Sequence, residues 1–192
     1  MSLIAGSDSA EDVLSVVNQG IGAGQIGFNA GNVTYAGTAI GTLVGGSGGS
    51  DLIITLNTNA DATSVSALVQ AIGYENTDTD NPTTGDRTVR FVLTDGDGGT
   101  SANYDTTVAF SPVNDIPTVA DLDGDTLSYT EGDGARIIDQ AAIATVTDVD
   151  SAEFDSGTLT VSFTAGSDSA EDLLAIVNQG TGAGQILSLI HI

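Results

Sequence analysis

Cysteine, tryptophan and lysine are absent from the 192-residue chain, and histidine occurs once, as His191. Without cysteine there is no disulfide framework, no thiolate metal site and no thiol nucleophile. The lack of lysine leaves three arginines (Arg87, Arg90 and Arg136) against 26 acidic residues, a formal charge of −23. A field of that sign repels phosphate backbones and anionic lipid headgroups, which argues against nucleic acid and membrane surfaces as partners. It also leaves most carboxylates without an internal counterion, so dissolved cations are the expected screen. No segment approaches the roughly 20 apolar residues of a membrane span, and no membrane insertion is expected. Residues 1–7 carry neither a basic stretch nor an apolar run of signal-peptide type, so any export signal is expected to lie outside this sequence.

What is present is β-forming. Hydrophobic residues make up 40% of the chain and aromatics only 5%, which leaves Val, Ile, Leu and Thr to build the core. β-Branched residues of this kind suit a pleated, half-buried surface. Cysteine-free, acidic and β-rich composition is compatible with a bacterial surface protein stabilised by metal ions rather than disulfides.

The chain repeats itself. Residues 5–26 read AGSDSAEDVLSVVNQGIGAGQI and residues 165–186 read AGSDSAEDLLAIVNQGTGAGQI, an offset of 160 residues with 18 of 22 positions identical. The exceptions are Val13/Leu173, Ser15/Ala175, Val16/Ile176 and Ile21/Thr181. A period of this length is that of a whole domain or two small ones, not of a short solenoid unit. The expectation is therefore that residues 1–115 are the larger, C-terminal part of one repeat and residues 116–186 the N-terminal part of the next. Residues 187–192, LSLIHI, depart from the first copy and read as translated adapter sequence, a non-native tail.

Local signals place a short helix at residues 9–18, capped by Asp8 with Glu11 three residues on, and a second from Asp61 or Thr63 through Ile72. Strands are expected at residues 32–38, 40–44 and 52–56, the last two joined by the flexible glycine-rich loop 45–50. At residues 87–94 the apolar Val89, Phe91 and Leu93 alternate with more polar positions, and a turn at 95–99 leads to a strand at 104–110. Together these read as the closing hairpin of an antiparallel sandwich. A proline-bounded joint, Pro112-Val-Asn-Asp-Ile-Pro117, precedes a restart of the pattern at 127–129, 137–148 and 158–163.

The run Arg87-Thr-Val-Arg-Phe-Val-Leu-Thr-Asp-Gly-Asp-Gly-Gly99, followed by Val113-Asn-Asp-Ile-Pro117, resembles the end of a cadherin-like repeat. Tyr129-Thr-Glu-Gly132 and Asp148-Val-Asp150 continue the likeness into the next repeat. With Ile72-Gly-Tyr-Glu-Asn-Thr77 and Asn81-Pro82, nearly the whole chain outside the tail resembles the cadherin-like tandem repeats of very large bacterial surface adhesins of the RTX/VCBS type. The resemblance implies an all-β fold: Ig-like or cadherin-like Greek-key β-sandwich modules in tandem, here with one or two short helices per repeat. It also implies Ca2+ at the junctions between modules. A hard cation takes roughly six to eight oxygens. Asn114, Asp115, Glu131, Asp148 and Asp150 offer side-chain oxygens at the joint and at strand ends of the following module, and Asp95 offers one in the Asp-Gly-Asp-Gly-Gly turn.

Other motifs carry less. Asp121-Leu-Asp-Gly-Asp125 would need glycine at 126 and glutamate at 132 to form an EF-hand loop, where the chain has Thr126 and Gly132. Gly45-Gly-Ser-Gly-Gly-Ser-Asp51 approaches a calcium-binding β-roll nonapeptide, but it occurs once and its Asp falls one position late. Gly22-Ala-Gly-Gln-Ile-Gly27 satisfies the dinucleotide-binding spacing but follows an expected helix, where that fingerprint follows a strand, so it reads as a helix stop and turn. Asn32-Val-Thr34 fits a glycosylation acceptor and carries little weight in a bacterial protein.

A Ser-His-Asp set would have to use His191 in the tail, so no enzymatic activity is expected. The expected role is a structural and adhesive repeat of a large exported protein at the bacterial cell surface, with a calcium-stiffened joint and a role in biofilm or in extending a binding tip. Its partners would be neighbouring repeats and a cell-surface or glycan ligand. The alternative is a carbohydrate-binding or accessory module of a secreted hydrolase.

Overall fold

The computed structural model describes residues 1–187, and the chain divides into two compact units, Met1–Asn114 and Asp115–Ile192. The first holds nine strands and one helix: β1 (Ser2–Ala5), β2 (Asp12–Val16), β3 (Ile26–Asn29), β4 (Asn32–Tyr35), β5 (Thr38–Val44), β6 (Ile53–Leu56), α1 (Ala62–Gln70), β7 (Ile72–Asn76), β8 (Arg87–Phe91) and β9 (Tyr104–Val108). All pairings are antiparallel, in sheets ordered β3-β4-β5-β6, β1-β8-β9 and β2-β7. The described fold is thus mostly β, with one short helix. That helix is not long or apolar enough to cross a membrane.

The first sheet is a meander of hairpins, and α1 covers it. Ile26, Val33 and Ile40 from three adjacent strands meet Leu68 and Ala71 of the helix and Val16 of β2 in one buried cluster. Asp61 accepts the Ser64 amide at 2.8 Å while the Ser64 hydroxyl accepts the Asp61 amide at 2.9 Å, so the expected helix starts with a reciprocal cap. A second cluster gathers Leu14, Leu52 and Val89 between the two smaller sheets. The hairpins expected at 40–56 and at 87–110 are present as β5–β6 and β8–β9.

The expected helix at residues 9–18 is instead strand β2. Its burial alternates, with Asp12, Leu14 and Val16 inward and Val13 and Ser15 half-exposed, which is a period of two. The first helix-cap signal serves a turn: the Asp8 carboxylate accepts the Ala10 amide at 2.8 Å, and the Asp12 amide meets the Asp8 carbonyl at 2.9 Å. β-Branched Val13, Val16 and Val17 lose little in a strand, and pairing with β7 from Asp12↔Asn76 to Val16↔Ile72 decides the outcome. Gly22–Gly27 consequently follows a strand and leads into β3, not into the helix that a dinucleotide site requires.

The glycine loop 45–50 is docked rather than loose. The Leu14 amide donates to the Gly46 carbonyl at 2.7 Å, and a Cβ on Gly46 would stand 2.2 Å from the Leu14 carbonyl oxygen. Only glycine lets the loop pass that close to β2.

In the second unit the described strands are β10 (Thr118–Ala120) and β11 (Thr145–Thr147), paired antiparallel. Of the strands expected at 127–129, 137–148 and 158–163, only the end of the second is formed. Every fully buried hydrophobic residue among those described belongs to the first unit, whereas Ile143, Leu159 and Leu173 are more than four-fifths exposed. The tail residues 188–192, His191 among them, lie outside the described residues.

Candidate functional site

Of the acidic residues expected at the joint, three converge at the start of the second unit. The Asp115 amide donates to Asp150 Oδ2 at 3.0 Å, and the Asp148 carboxylate accepts the amides of Asp150 and Ser151 at 3.3 and 3.0 Å. The Asp115 amide, and then the Asp148 side chain, hold the Asp150 carboxyl below its ordinary range. The expected strand end thus becomes a turn after β11, closed by the Asp148 carboxylate, that directs the Asp150 carboxylate to the Asp115 amide. Asn114 is the last residue of the first unit.

Glu131 and Asp95 lie elsewhere. Glu131 is exposed at the corner of a turn that Thr130 and Asp133 close. Asp95 spends its carboxylate on its own loop, accepting the Asp97 and Gly99 amides at 2.9 Å each, which lowers its pKa. Among the described residues no group of three or more acidic or histidine side chains is arranged to hold a metal ion. The donor chemistry of Asp115, Asp148 and Asp150 is nonetheless that of a hard cation, all oxygen and all anionic.

A denser, buried polar cluster surrounds Arg87, away from the residues expected at the joint. Arg87, at 0% exposure, directs Nε to both Asp12 oxygens at 3.2 Å and its second terminal nitrogen to Glu11 Oε1 at 3.3 Å. Its remaining nitrogen donates to the Gly85 carbonyl, and its guanidinium lies 4.3 Å from the Phe110 ring centroid. Asp12 also accepts the Tyr74 hydroxyl, Asn76 Nδ2 at 3.1 Å and the Asp8 amide at 2.7 Å. Burial pushes the Asp12 carboxyl up, but Tyr74, the Asp8 amide and Arg87 together outweigh it and hold the group below its ordinary range. Burial, reinforced by Asp12, pushes the Tyr74 hydroxyl up.

This cluster ties four separate stretches of chain together, with Asp12 at the start of β2, Tyr74 and Asn76 in β7 and Arg87 at the start of β8. One signal for it stands in the sequence: Arg87 shares strand parity with Val89 and Phe91, the core-facing set, so an arginine there must be buried with a counterion. Glu11 and Asp12 carried no such signal while their segment read as a helix. Beside the cluster an open groove of about 410 Å³ is lined by Asp8, Glu11, Asp78, Asp80, Asn81 and Thr83. Glu11 reaches into its wall, where Oε1 accepts the Thr83 amide at 2.8 Å.

No protein-family model, curated protein or solved structure matches the chain.

Proposed function

We propose that this chain is a structural and adhesive segment of a large exported bacterial surface protein, built of Greek-key β-sandwich repeats in tandem and stiffened by calcium at the joint between them. The observation that carries the reading is the 160-residue repeat: a near-copy of residues 5–26 recurs at 165–186, on the far side of the acidic joint at 112–117. A repeat of domain length favours an array, and an array needs its joints held. Asp115, Asp148 and Asp150 would hold the ion, with Asn114 and Glu131 as further oxygen donors. The ion would offset the mutual repulsion of carboxylates that the chain's three arginines do not neutralise.

The groove beside Glu11 offers carboxylates, hydroxyls and an amide but no aromatic face for a sugar ring, which weighs toward the structural reading over the carbohydrate-binding one. No turnover is part of this proposal. The reading is tested by thermal unfolding in calcium and in chelator. A site of roughly 10⁻⁴ M affinity adds about 2 kcal/mol at millimolar calcium, lost in Asp148→Ala with Asp150→Ala. Superimposable melting curves in calcium and chelator would refute it.

A further inference from the structure

We propose that the Asp97-Gly98 bond in the turn between β8 and β9 is a self-modifying site, at which the chain converts aspartate to isoaspartate, while the Asp95-Gly96 bond of the same turn is protected. The inference stands on the geometry of this turn and not on the adhesive reading. The reaction needs no partner but water. The Gly98 amide nitrogen attacks the Asp97 side-chain carboxyl carbon, a C–N bond forms as a C–O bond breaks, and the nitrogen's proton leaves with the hydroxyl as water. The product is a five-membered succinimide. Water then adds to the former main-chain carbonyl carbon and breaks its bond to nitrogen, which leaves the chain joined through the side-chain carboxyl and frees the main-chain one. Composition and charge are those of the starting protein.

Residue type ranks the two bonds equally. Each is an aspartate followed by glycine in an exposed turn, and a Cβ on either glycine would meet open space, so nothing screens either nitrogen. The carboxylates differ. Asp95 Oδ1 accepts the Asp97 and Gly99 amides at 2.9 Å each, and the Asp95 amide donates to the Gly99 carbonyl at 3.2 Å beside the bridge between Thr94 and Thr100. Turning the Asp95 carboxyl carbon onto the Gly96 nitrogen gives up both bonds to Oδ1 and works against a pinned backbone. Among the described residues the Asp97 side chain accepts no hydrogen bond; the residue is held by its amide alone. Its carboxyl swings onto the Gly98 nitrogen without breaking a contact.

Isoaspartate lengthens the main chain by one methylene between the Asp97 and Gly99 amides, the two groups that share Asp95 Oδ1. The longer path does not keep both on one oxygen. The Gly99 amide is released, and the end of the β8–β9 hairpin loosens.

The natural chain is aged in warm neutral buffer, folded and in urea, and isoaspartate is located by peptide mapping with tandem mass spectrometry. In the folded chain isoaspartate should accumulate severalfold faster at 97 than at 95, and in urea the two positions should converge. Equal accumulation in the folded chain, an excess at 95, no product at 97, or the same excess at 97 in urea overturns the inference. Amide hydrogen exchange of the aged protein reads the consequence. The Gly99 amide should lose protection in the natural chain and keep it in Asp97→Glu, whose longer side chain does not close a five-membered ring. Equal loss in both overturns the link between modification and turn.

Discussion

The two copies of one 22-residue sequence fold differently within a single chain. In residues 5–26 the segment contains β2, begins β3, and buries Leu14, Val16 and Ile26. In residues 165–186 it contains no strand, and the counterparts of those residues are half-buried or exposed. What the copies share is everything that depends on near neighbours. The Gly22 amide meets Gln25 Oε1 at 2.7 Å and the Gly182 amide meets Gln185 Oε1 at 2.7 Å. The Gln19 side chain receives the Ile26 amide at 3.0 Å and Gln179 receives that of Ile186 at 3.1 Å. What they do not share is everything that needs β7, β8 and Arg87. Gly6 shows it at one atom: a Cβ there would stand 2.0 Å from the Asp86 carbonyl oxygen, while Gly166, with φ of 72° against 71°, faces open space. Turns are written in the local sequence, whereas strands are completed by distant partners.

Removing the carboxylate that both copies carry should separate them most sharply. Asp12→Ala takes a counterion from a fully buried arginine and leaves the Tyr74 and Asn76 donors unmet, so the first unit should lose about 3–5 kcal/mol. Asp172→Ala removes only local contacts at an exposed position and should change stability by no more than about 0.5 kcal/mol. Urea unfolding of the two variants checks the contrast, and equal losses would mean that the buried cluster is not what organises the first copy.

The same carboxylate gives a smaller effect with pH. Because the Asp12 pKa is lowered in the folded state, its contribution to stability is complete above the unfolded value of about 3.9 and is lost as pH falls through the lower folded value. The stability gap between the natural chain and Asp12→Asn should therefore be constant near neutrality and close as pH drops below about 4. A gap that persists unchanged into acid would mean that Asp12 does not titrate with folding.

These contrasts also mark what could be read from residues alone. The helix α1 was legible because Asp61 is a cap residue and Val65, Leu68 and Val69 follow at helical spacing; the return bond to Ser64 shows only in the structure. The hairpin β8–β9 was legible because its alternation is clean and a glycine turn joins its strands. Segment 9–18 was misread because Asp8 and Glu11 form a capping signature whose local meaning, a turn, is shared by helices and loops; only the partner β7 settles it. β1, β3 and β7 went unseen for a related reason, being strands of four or five residues whose identity lies in their pairing. At the joint, Asp148 and Asp150 were singled out, like Glu131, by the resemblance; Asp150 meets the Asp115 amide, whereas Glu131 and Asp95 are each placed in their own turn. The cluster around Arg87 draws on residues 8–12, 74–76, 85–87 and 110, a set that no single window of sequence contains.

The central claim is that one sequence is structured in its first copy by β7, β8 and Arg87 and is left without strands in its second. Amide hydrogen exchange in dilute solution reads both copies in the same sample. The account predicts that the Leu14 and Val17 amides, bonded to the Gly46 and Ala71 carbonyls, exchange only through opening of the first unit while those of Leu174 and Val177 exchange near the unprotected rate. Comparable protection in the two copies would contradict it.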